Sequence, residues 1–272
     1  VVVPNTVIFS YDLTGTQADS FFLQRSWNPR NRTPLTPSNH YFTETYYYPG
    51  FHWAKLIAND SIIRKKRIHI QTDGWLATAK YNRMAPIPTY LNQDTLVQDG
   101  QLSISSDNYR ASGFDQNRDM VLSYHNVRHF QNISSDHFSF ETSIKMDNRR
   151  PIVCPFMEIR IIDEEDASWF SIIEKGCEGN LKLKIGGHYV TGRTNDLSGF
   201  GASTNEWQLV RLTISQGIAK IYLNEQQILE TPVKKARGKV MGLIFTFNGP
   251  GTIDFVYMQD LLSGQEYLDT FN

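Results

Sequence analysis

The segment Trp207-Gln-Leu-Val-Arg-Leu-Thr-Ile-Ser215 is followed by Ile218-Ala-Lys-Ile-Tyr-Leu-Asn224 and then by Val240-Met-Gly-Leu-Ile-Phe-Thr-Phe247. Apolar and polar residues alternate in these segments, and Ser-Gln-Gly, Asn-Glu and Asn-Gly-Pro-Gly stand at their ends. Alternation with a period of two indicates strands with one buried face, and short turn sequences between them indicate antiparallel pairing. The sequence therefore predicts an antiparallel meander in this part of the chain.

The order of features in this region resembles the laminin-G and concanavalin A-like jelly rolls. It comprises a Trp, an alternating strand, a tight turn, a short strand ending in Asn and a Gly-bounded apolar strand. From Gly100 onward the predicted strands lengthen, and jelly rolls are built from such strands. The resemblance implies a concanavalin A-like jelly-roll sandwich over residues 100–272. It implies an architecture and supplies no ligand.

Short predicted strands separated by turn residues also fill the region from Thr6 to Ile70, which favours a small β-sandwich. The segment from Tyr46 to Asn59, Tyr-Tyr-Tyr-Pro-Gly-Phe-His-Trp-Ala-Lys-Leu-Ile-Ala-Asn, is similar to the signature of the immunoglobulin-like PKD domain, and Trp27 stands where that family has its Trp. The resemblance implies a PKD-like immunoglobulin-type sandwich over residues 1–78, acting as a spacer. Asn28–Pro37 replaces the family's acidic loop and is predicted to be a stiff basic loop, which argues against a Ca²⁺ site.

The predicted fold class is therefore all-β, with the two sandwiches joined by a connector over residues 79–99 that contains Pro86-Ile-Pro88. Charge is divided unevenly, since residues 1–85 hold ten Lys or Arg against five Asp or Glu, and the remainder holds seventeen against twenty-three. The basic run Arg64-Lys-Lys-Arg67 could indicate nucleic acid or anionic lipid. Because it is short and lies in a strand, it is interpreted as a solvated edge that blocks strand pairing.

The sequence contains two cysteines, Cys154 and Cys177. If Pro155–Asp163 and Ser168–Gly176 form a hairpin, directly opposed residue numbers sum to 331, as 154 and 177 do. Opposed residues in an antiparallel pair lie within disulfide range, so the two cysteines are predicted to face each other. Two free buried thiols are the alternative.

The same hairpin predicts a binding surface. One face holds the apolar side chains and is assigned to the core: Met157, Ile159, Ile161, Phe170 and Ile172. The other face holds Trp169 as a stacking platform for a sugar ring, with Glu158, Arg160 and Ser171 as polar contacts for its hydroxyls. The alternative is a solvated sheet face on which Trp169 covers a hydrophobic edge.

Catalytic and metal sites are not predicted. Laminarinase-like glycosidases share the jelly-roll fold and carry Glu-x-Asp-x-x-Glu, but the nearest match, Glu158 to Asp163, has Arg160 in place of the central Asp, and Asp163 is on the opposite face by parity. Glu164, Glu165 and Asp166 are interpreted as solvated turn residues. His125 and His129 do not form a close metal-ligand pair, so no metal and no cofactor are expected.

The sequence thus predicts a non-catalytic, extracytoplasmic binding module for a glycan or a surface protein, without a nucleic-acid partner. It is expected in the periplasm or at the cell surface, with membrane contact only through a signal peptide or an anchoring helix that precedes Val1. Two alternatives stay open. The first is a glycoside hydrolase with a nonstandard carboxylate pair, and the second is a sensory or interaction ectodomain with no sugar site.

Overall fold

The computed structural model describes residues 3–25, 28–81, 87–115, 118–130, 132–147, 152–233 and 237–272, and for residues 28–31 only the backbone. The chain divides into two compact units, Val1–Asp73 and Gly74–Asn272. Strands hold 54% of the residues and helices 6%, which confirms the all-β fold class. Within the described ranges, no helix combines the length and apolar character needed to cross a bilayer.

The smaller unit is built from six strands in its described part: β1 (Asn5–Ser10), β2 (Phe21–Arg25), β3 (Asn28–Leu35), β4 (Tyr41–Tyr46), β5 (Gly50–Ala58) and β6 (Ser61–Ile70). Strands β1 and β4 form a two-stranded sheet, and the others form a four-stranded sheet in the order β3-β2-β5-β6. The small core holds Leu13, Phe21, Leu23, Leu35 and Ala54 together with Ala58. The short β-strands predicted here are therefore present, and Trp27 lies outside the described residues.

Strand β3 corrects the prediction of a stiff basic loop over Asn28–Pro37. It pairs with β2 in antiparallel register, with Pro34 opposite Phe22. Proline is tolerated in an edge strand, because its missing N–H need not take part in the ladder. The position of β3 at the edge of the sheet therefore explains how a Pro-containing segment forms a strand.

The larger unit contains the remaining strands: β7 (Leu76–Lys80), β8 (Thr89–Tyr90), β9 (Val97–Gln98), β10 (Gln101–Leu102), β11 (Val121–Asn126), β12 (Phe138–Met146), β13 (Phe156–Asp163), β14 (Ala167–Ile173), β15 (Lys182–Ile185), β16 (His188–Thr191), β17 (Gln208–Ser215), β18 (Ile218–Leu223), β19 (Gln226–Pro232), β20 (Val240–Phe247), β21 (Gly251–Asp260) and β22 (Glu266–Asp269). The helix α1 spans Ser106–Ala111, and single 3₁₀ turns lie at Gln93–Thr95, Glu178–Asn180 and Ser198–Phe200.

These strands form two eight-stranded sheets. Sheet I has the order β16-β15-β14-β13-β20-β11-β7-β8, and sheet II has the order β19-β18-β17-β12-β21-β10-β9, with β22 also paired to β21. One apolar core lies between the two sheets. In it, the ring of Phe140 on β12 contacts that of Phe245 on β20, with 6.3 Å between the ring centroids. Tyr124 on β11 donates a hydrogen bond to the carbonyl of Gly251 on β21 at 2.9 Å. The larger unit is thus a two-sheet sandwich.

The boundaries differ from those read off the sequence, which ended the first domain at residue 78 and placed a connector at 79–99. Strand β7 pairs with β11 and with β8 in sheet I, and β9 pairs with β10 in sheet II. Leu76, Ala77, Thr78 and Ala79 are all buried. A short stretch that is buried on both faces lacks the alternation that marks a strand, so the sequence pattern did not reveal β7.

The three strands predicted from the C-terminal segments are present as β17, β18 and β20, and β17 pairs with β18 in antiparallel register. The predicted meander does not extend to β20, which lies in sheet I between β13 and β11. Gln216 and Gly217, between β17 and β18, both have positive φ angles of 50° and 74°. Two successive positive φ angles are typical of the tight turn whose twist matches antiparallel strands. Gly217 therefore supports the turn without the steric cost that a side chain would carry.

Cys154 and Cys177 form a disulfide, with Cα atoms 5.6 Å apart. The β13–β14 ladder ends at Phe156 opposite Ile173, so the two cysteines lie beyond it. A turn in which the Cys177 N–H donates to the carbonyl of Glu174 brings the second cysteine back to the first. The disulfide therefore closes the open end of the hairpin.

Reduction of this disulfide should lower the free energy of unfolding of the larger unit by about 3 kcal/mol, because the cross-link restricts the unfolded chain across a separation of 23 residues. Urea titrations with and without dithiothreitol measure the difference. A Cys154→Ala/Cys177→Ala variant is the control and should not respond to the reductant. An unchanged midpoint in fully reduced wild-type protein would contradict the stabilising role.

Candidate functional site

The β13–β14 hairpin places the four predicted site residues on one face of sheet I. Glu158 lies opposite Ser171, and Arg160 lies opposite Trp169. The core assignment of the other face is confirmed, since its five apolar side chains are buried: Met157, Ile159, Ile161, Phe170 and Ile172. The solvent side of the hairpin is therefore the candidate surface, and we call it the hairpin surface, defined by Glu158, Arg160, Trp169 and Ser171.

The register of the hairpin differs by two residues from the predicted one. The residue numbers of directly opposed pairs, such as Ile162 and Ala167, sum to 329 and not to the predicted 331. The Asp163 carboxylate closes the turn early, because its Oδ1 accepts hydrogen bonds from the N–H groups of Glu165 at 2.9 Å and Asp166 at 2.7 Å. A shift of two residues preserves side-chain direction, so the predicted faces stay correct although the partners change.

An ion pair lies at the centre of the hairpin surface. Arg160 donates from Nη2 and Nε to the same oxygen of Glu158, Oε1, at 2.7 and 3.2 Å. The Arg160 side chain is 41% exposed and that of Glu158 is 20% exposed, so both reach solvent. Arg160 Nη1 and Glu158 Oε2 take no part in this pair. A ligand hydroxyl can therefore meet one donor and one acceptor held in fixed geometry.

The Trp169 side chain lies beside this ion pair and is half-buried. Its ring meets Tyr189 on β16 edge to face, with 6.2 Å between centroids, and Tyr189 is 52% exposed. Lys184 on β15 lies opposite Trp169 and forms an ion pair with Asp166. Although burial raises the pKa of Asp166, hydrogen bonds from Lys184 and the Ala167 N–H lower it below the ordinary value.

Tyr189 and Lys184 were not identified from the sequence. The signal was present, because Lys184-Ile-Gly-Gly-His188 reads as a hairpin tip, and this hairpin pairs Lys184 with Tyr189. What the sequence did not show is that β15 lies next to β14. Ser171 is placed on the hairpin surface as predicted but is only 8% exposed, so it is the least accessible of the four.

The carboxylates considered for hydrolysis do not come together. Asp163 is buried and accepts a hydrogen bond from Arg237 Nε at 2.6 Å. Burial raises the pKa of Asp163, and the Arg237 guanidinium counteracts this. Glu158, on the hairpin surface, pairs with Arg160 instead. These contacts give Asp163 a structural role at the turn.

His125 on β11 faces the same side of sheet I and is buried. Its Nε2 lies 2.9 Å from the Thr78 hydroxyl oxygen. Burial, with smaller effects from the charges of Arg160 and Lys80, lowers the pKa of His125 to about 3. His125 is therefore neutral at physiological pH. Among the described residues, no group of three or more His, Cys, Asp or Glu could hold a metal ion.

Two clefts of the larger unit lie away from these residues. One, of about 400 Å³, is lined by residues that include Tyr81, Asp119 and Asn248. The other, of about 360 Å³, is lined by residues that include Gln101 and Lys145. Neither of these two clefts includes a residue of the hairpin surface.

No family model matches the sequence. No curated protein matches it either. One similar solved structure comes from work on endo-acting O-glycanases that prominent members of the human gut microbiota express to initiate mucin breakdown; its TM-score is 0.42 and its identity 10%, over 70% of this chain and 93% of that chain.

A second similar structure is the carbohydrate binding module CBM66 from Bacillus subtilis, with a TM-score of 0.32 and 9% identity over 50% of this chain and 78% of that chain. A third is the exoplasmic/lumenal domain of VIP36 in its Ca²⁺-bound form, with a TM-score of 0.40 and 10% identity over 58% of this chain and 80% of that chain. All three TM-scores lie below 0.5, and the function of this chain does not follow from these similarities.

The free energy of unfolding should fall on acidification because His125 is buried in its neutral form. Its pKa is lowered from 6.5 in the unfolded chain to about 3 in the folded chain, so at pH 5 only the unfolded state binds the proton. Stability from this group is complete above pH 6.5 and is lost as the pH falls toward 3. Between pH 7 and pH 5, wild-type protein should lose about 2 kcal/mol more unfolding free energy than His125→Gln.

Urea titrations at the two pH values measure this loss. The exposed His129 provides the control, since His129→Gln should follow the wild type. Equal pH dependence in wild type and His125→Gln would show that His125 is not held neutral by the fold.

Proposed function

We propose that this chain is a non-catalytic binding module that recognises a glycan on the hairpin surface of its larger unit. The observation that carries the proposal is the placement of Trp169 directly opposite Arg160, which is itself paired with Glu158. An aromatic face stacks on the apolar face of a sugar ring, and the neighbouring charged groups hydrogen-bond to its hydroxyls. The three side chains supply both kinds of contact within one sheet face.

The pairing of Trp169 with Tyr189 extends the aromatic part of the surface. Tyr189 is the more exposed of the two rings, and Lys184 lies in the same row of the sheet. A ligand larger than one sugar ring can therefore contact residues from β13, β14 and β16 together. Strands hold these groups more rigidly than loops, which reduces the entropy lost on binding.

A binding role is favoured over glycoside hydrolysis because of the state of the carboxylates. Hydrolysis by the common mechanisms needs two carboxyl groups on either side of the scissile bond. On the hairpin surface Glu158 is already paired with Arg160, and Asp163 is buried against Arg237. This arrangement supports recognition of a glycan without its cleavage.

An extracytoplasmic location, in the periplasm or at the cell surface, belongs to the same proposal. The Cys154–Cys177 disulfide supports it, because disulfides persist in oxidising compartments and are rare in the cytosol. We also propose that the smaller unit, PKD-like by its sequence, acts as a spacer for the larger one. A protein partner on the hairpin surface is the alternative ligand.

Truncation of Trp169 tests the proposal. Trp169→Ala should weaken binding of a glycan by about 1–3 kcal/mol, the usual range for a stacked aromatic ring. A glycan array first identifies a ligand of the wild-type protein, and titration calorimetry then compares the variants. The larger unit should stay folded, because the indole is half-buried at the surface of the sheet.

Trp207→Ala is the matched control, since Trp207 is 37% exposed and precedes β17 of sheet II. It should keep the wild-type affinity. If Trp169→Ala binds the glycan as tightly as the wild type, the hairpin surface is not the site. If the wild type binds no glycan on the array, a protein partner becomes the better assignment.

A further inference from the structure

A second surface lies on the smaller unit, on the side of its four-stranded sheet that faces away from the core. Strand β5 contributes Phe51, Trp53 and Lys55, and β6 contributes the residues directly opposite them, His69, Arg67 and Lys65. We call these six residues the basic face. None of the four strands of this sheet contains Asp or Glu.

Two lysines on the basic face are direct cross-strand partners. Lys55 lies opposite Lys65, and like charges in this position destabilise a sheet. Salt bridges in the described part of this unit join Arg25 to Glu44 and Arg32 to Asp60, and neither lysine has one there. The fold therefore carries an electrostatic cost that a bound anion between the two ammonium groups would remove.

The row of polar side chains continues across the sheet to Arg32, which is paired with Asp60. Gln24 on β2 lies opposite Lys55, and Arg32 on β3 lies opposite Gln24. One row over the four strands is thus formed by Lys65, Lys55, Gln24 and Arg32. With a strand spacing of about 4.8 Å, the row is about 14 Å long. A ligand that carries several anionic groups can meet more than one of these side chains.

Aromatic rings lie beside the lysine pair. The Arg67 guanidinium carbon lies 5.0 Å from the Phe51 ring centre and 5.9 Å from that of Trp53. The Phe51 and His69 rings are stacked at 4.2 Å. Cation–π contacts of this kind hold the guanidinium in place on the sheet. Trp53 is half-buried and is two residues from Lys55 on the same strand face.

We propose that the basic face binds an anionic polysaccharide, with a sulfate or carboxylate group between Lys55 and Lys65 and a sugar ring against Trp53. The pairing of a cationic row with an aromatic side chain favours a charged sugar over a simple anion. The disulfide elsewhere in the chain indicates an oxidising compartment, which disfavours an intracellular nucleic acid. This site is independent of the hairpin surface and extends the proposed function to a second ligand class.

The test uses the full chain, with heparin as the sulfated probe and dextran as the neutral one. Lys55→Gln/Lys65→Gln should weaken heparin binding about tenfold or more at low salt, because two charge contacts are lost. The slope of log affinity against log salt should fall by about one to two. The melting temperature should not fall, since the variant removes a repulsive pair. Dextran should bind neither protein.

Arg64→Gln/Lys66→Gln is the charge-matched control. These residues lie on the opposite face of β6, paired with Leu56 and Ala54. This variant should keep heparin affinity within about threefold, although it removes the same net charge. Equal losses of heparin affinity in the two double variants would overturn the proposal, because binding would then depend on net charge alone and not on the basic face.

Three further outcomes decide the ligand class and the independence of the site. Absence of heparin binding by the wild type overturns the proposal. Tighter binding to oligo(dT) or to phosphatidylserine vesicles than to heparin at the same salt concentration overturns the glycan assignment. Unchanged heparin affinity in Trp169→Ala is expected, so that failure of the hairpin surface and failure of the basic face are separate results.

Discussion

The buried ion pair between Asp163 and Arg237 is the interaction on which the arrangement of the hairpin surface depends. Their side chains are 3% and 5% exposed, with Arg237 Nε 2.6 Å from Asp163 Oδ2. The other carboxylate oxygen accepts the turn N–H groups of Glu165 and Asp166. Removing one partner of a buried pair typically costs about 3–5 kcal/mol, because the remaining charge has no counter-ion. The pair therefore holds the turn in one register, and that register places Arg160 opposite Trp169.

The hairpin surface combines rigidity with exposed chemistry. Its core face is closely packed against sheet II, while its solvent face carries an ion pair and an aromatic pair. Because Glu158 and Arg160 bind each other, each is held in place before a ligand arrives. Such preorganisation lowers the entropy that binding must overcome. Because Glu158 is paired with Arg160, the same contact supports the proposal of a binding role over hydrolysis.

The two units present different chemistry. On the larger unit, charges of opposite sign lie next to each other, which suits neutral hydroxyl groups. On the smaller unit, the basic face gathers charges of one sign, and Lys55 opposite Lys65 is a local cost to the fold. Edge strands are often protected from aggregation by charged residues, and we propose that purpose for the basic run of β6, which is an edge strand in the described part of the unit. The lysine pair is not needed to protect this edge, since Arg64 and Lys66 already place charge on the strand.

Local sequence pattern determined the all-β fold, the C-terminal strands β17, β18 and β20, and the two faces of the hairpin. It could do so because side-chain direction in a strand depends only on parity, which a register error of two residues leaves unchanged. Only the tertiary structure decided which residues are partners. The turn that sets the register uses the Asp163 carboxylate, and the Arg237 guanidinium that neutralises this buried carboxylate is 74 residues away, so no local pattern records their contact. Likewise, the basic run of β6 is visible in the sequence, but only the pairing of β5 with β6 sets Lys55 against Lys65.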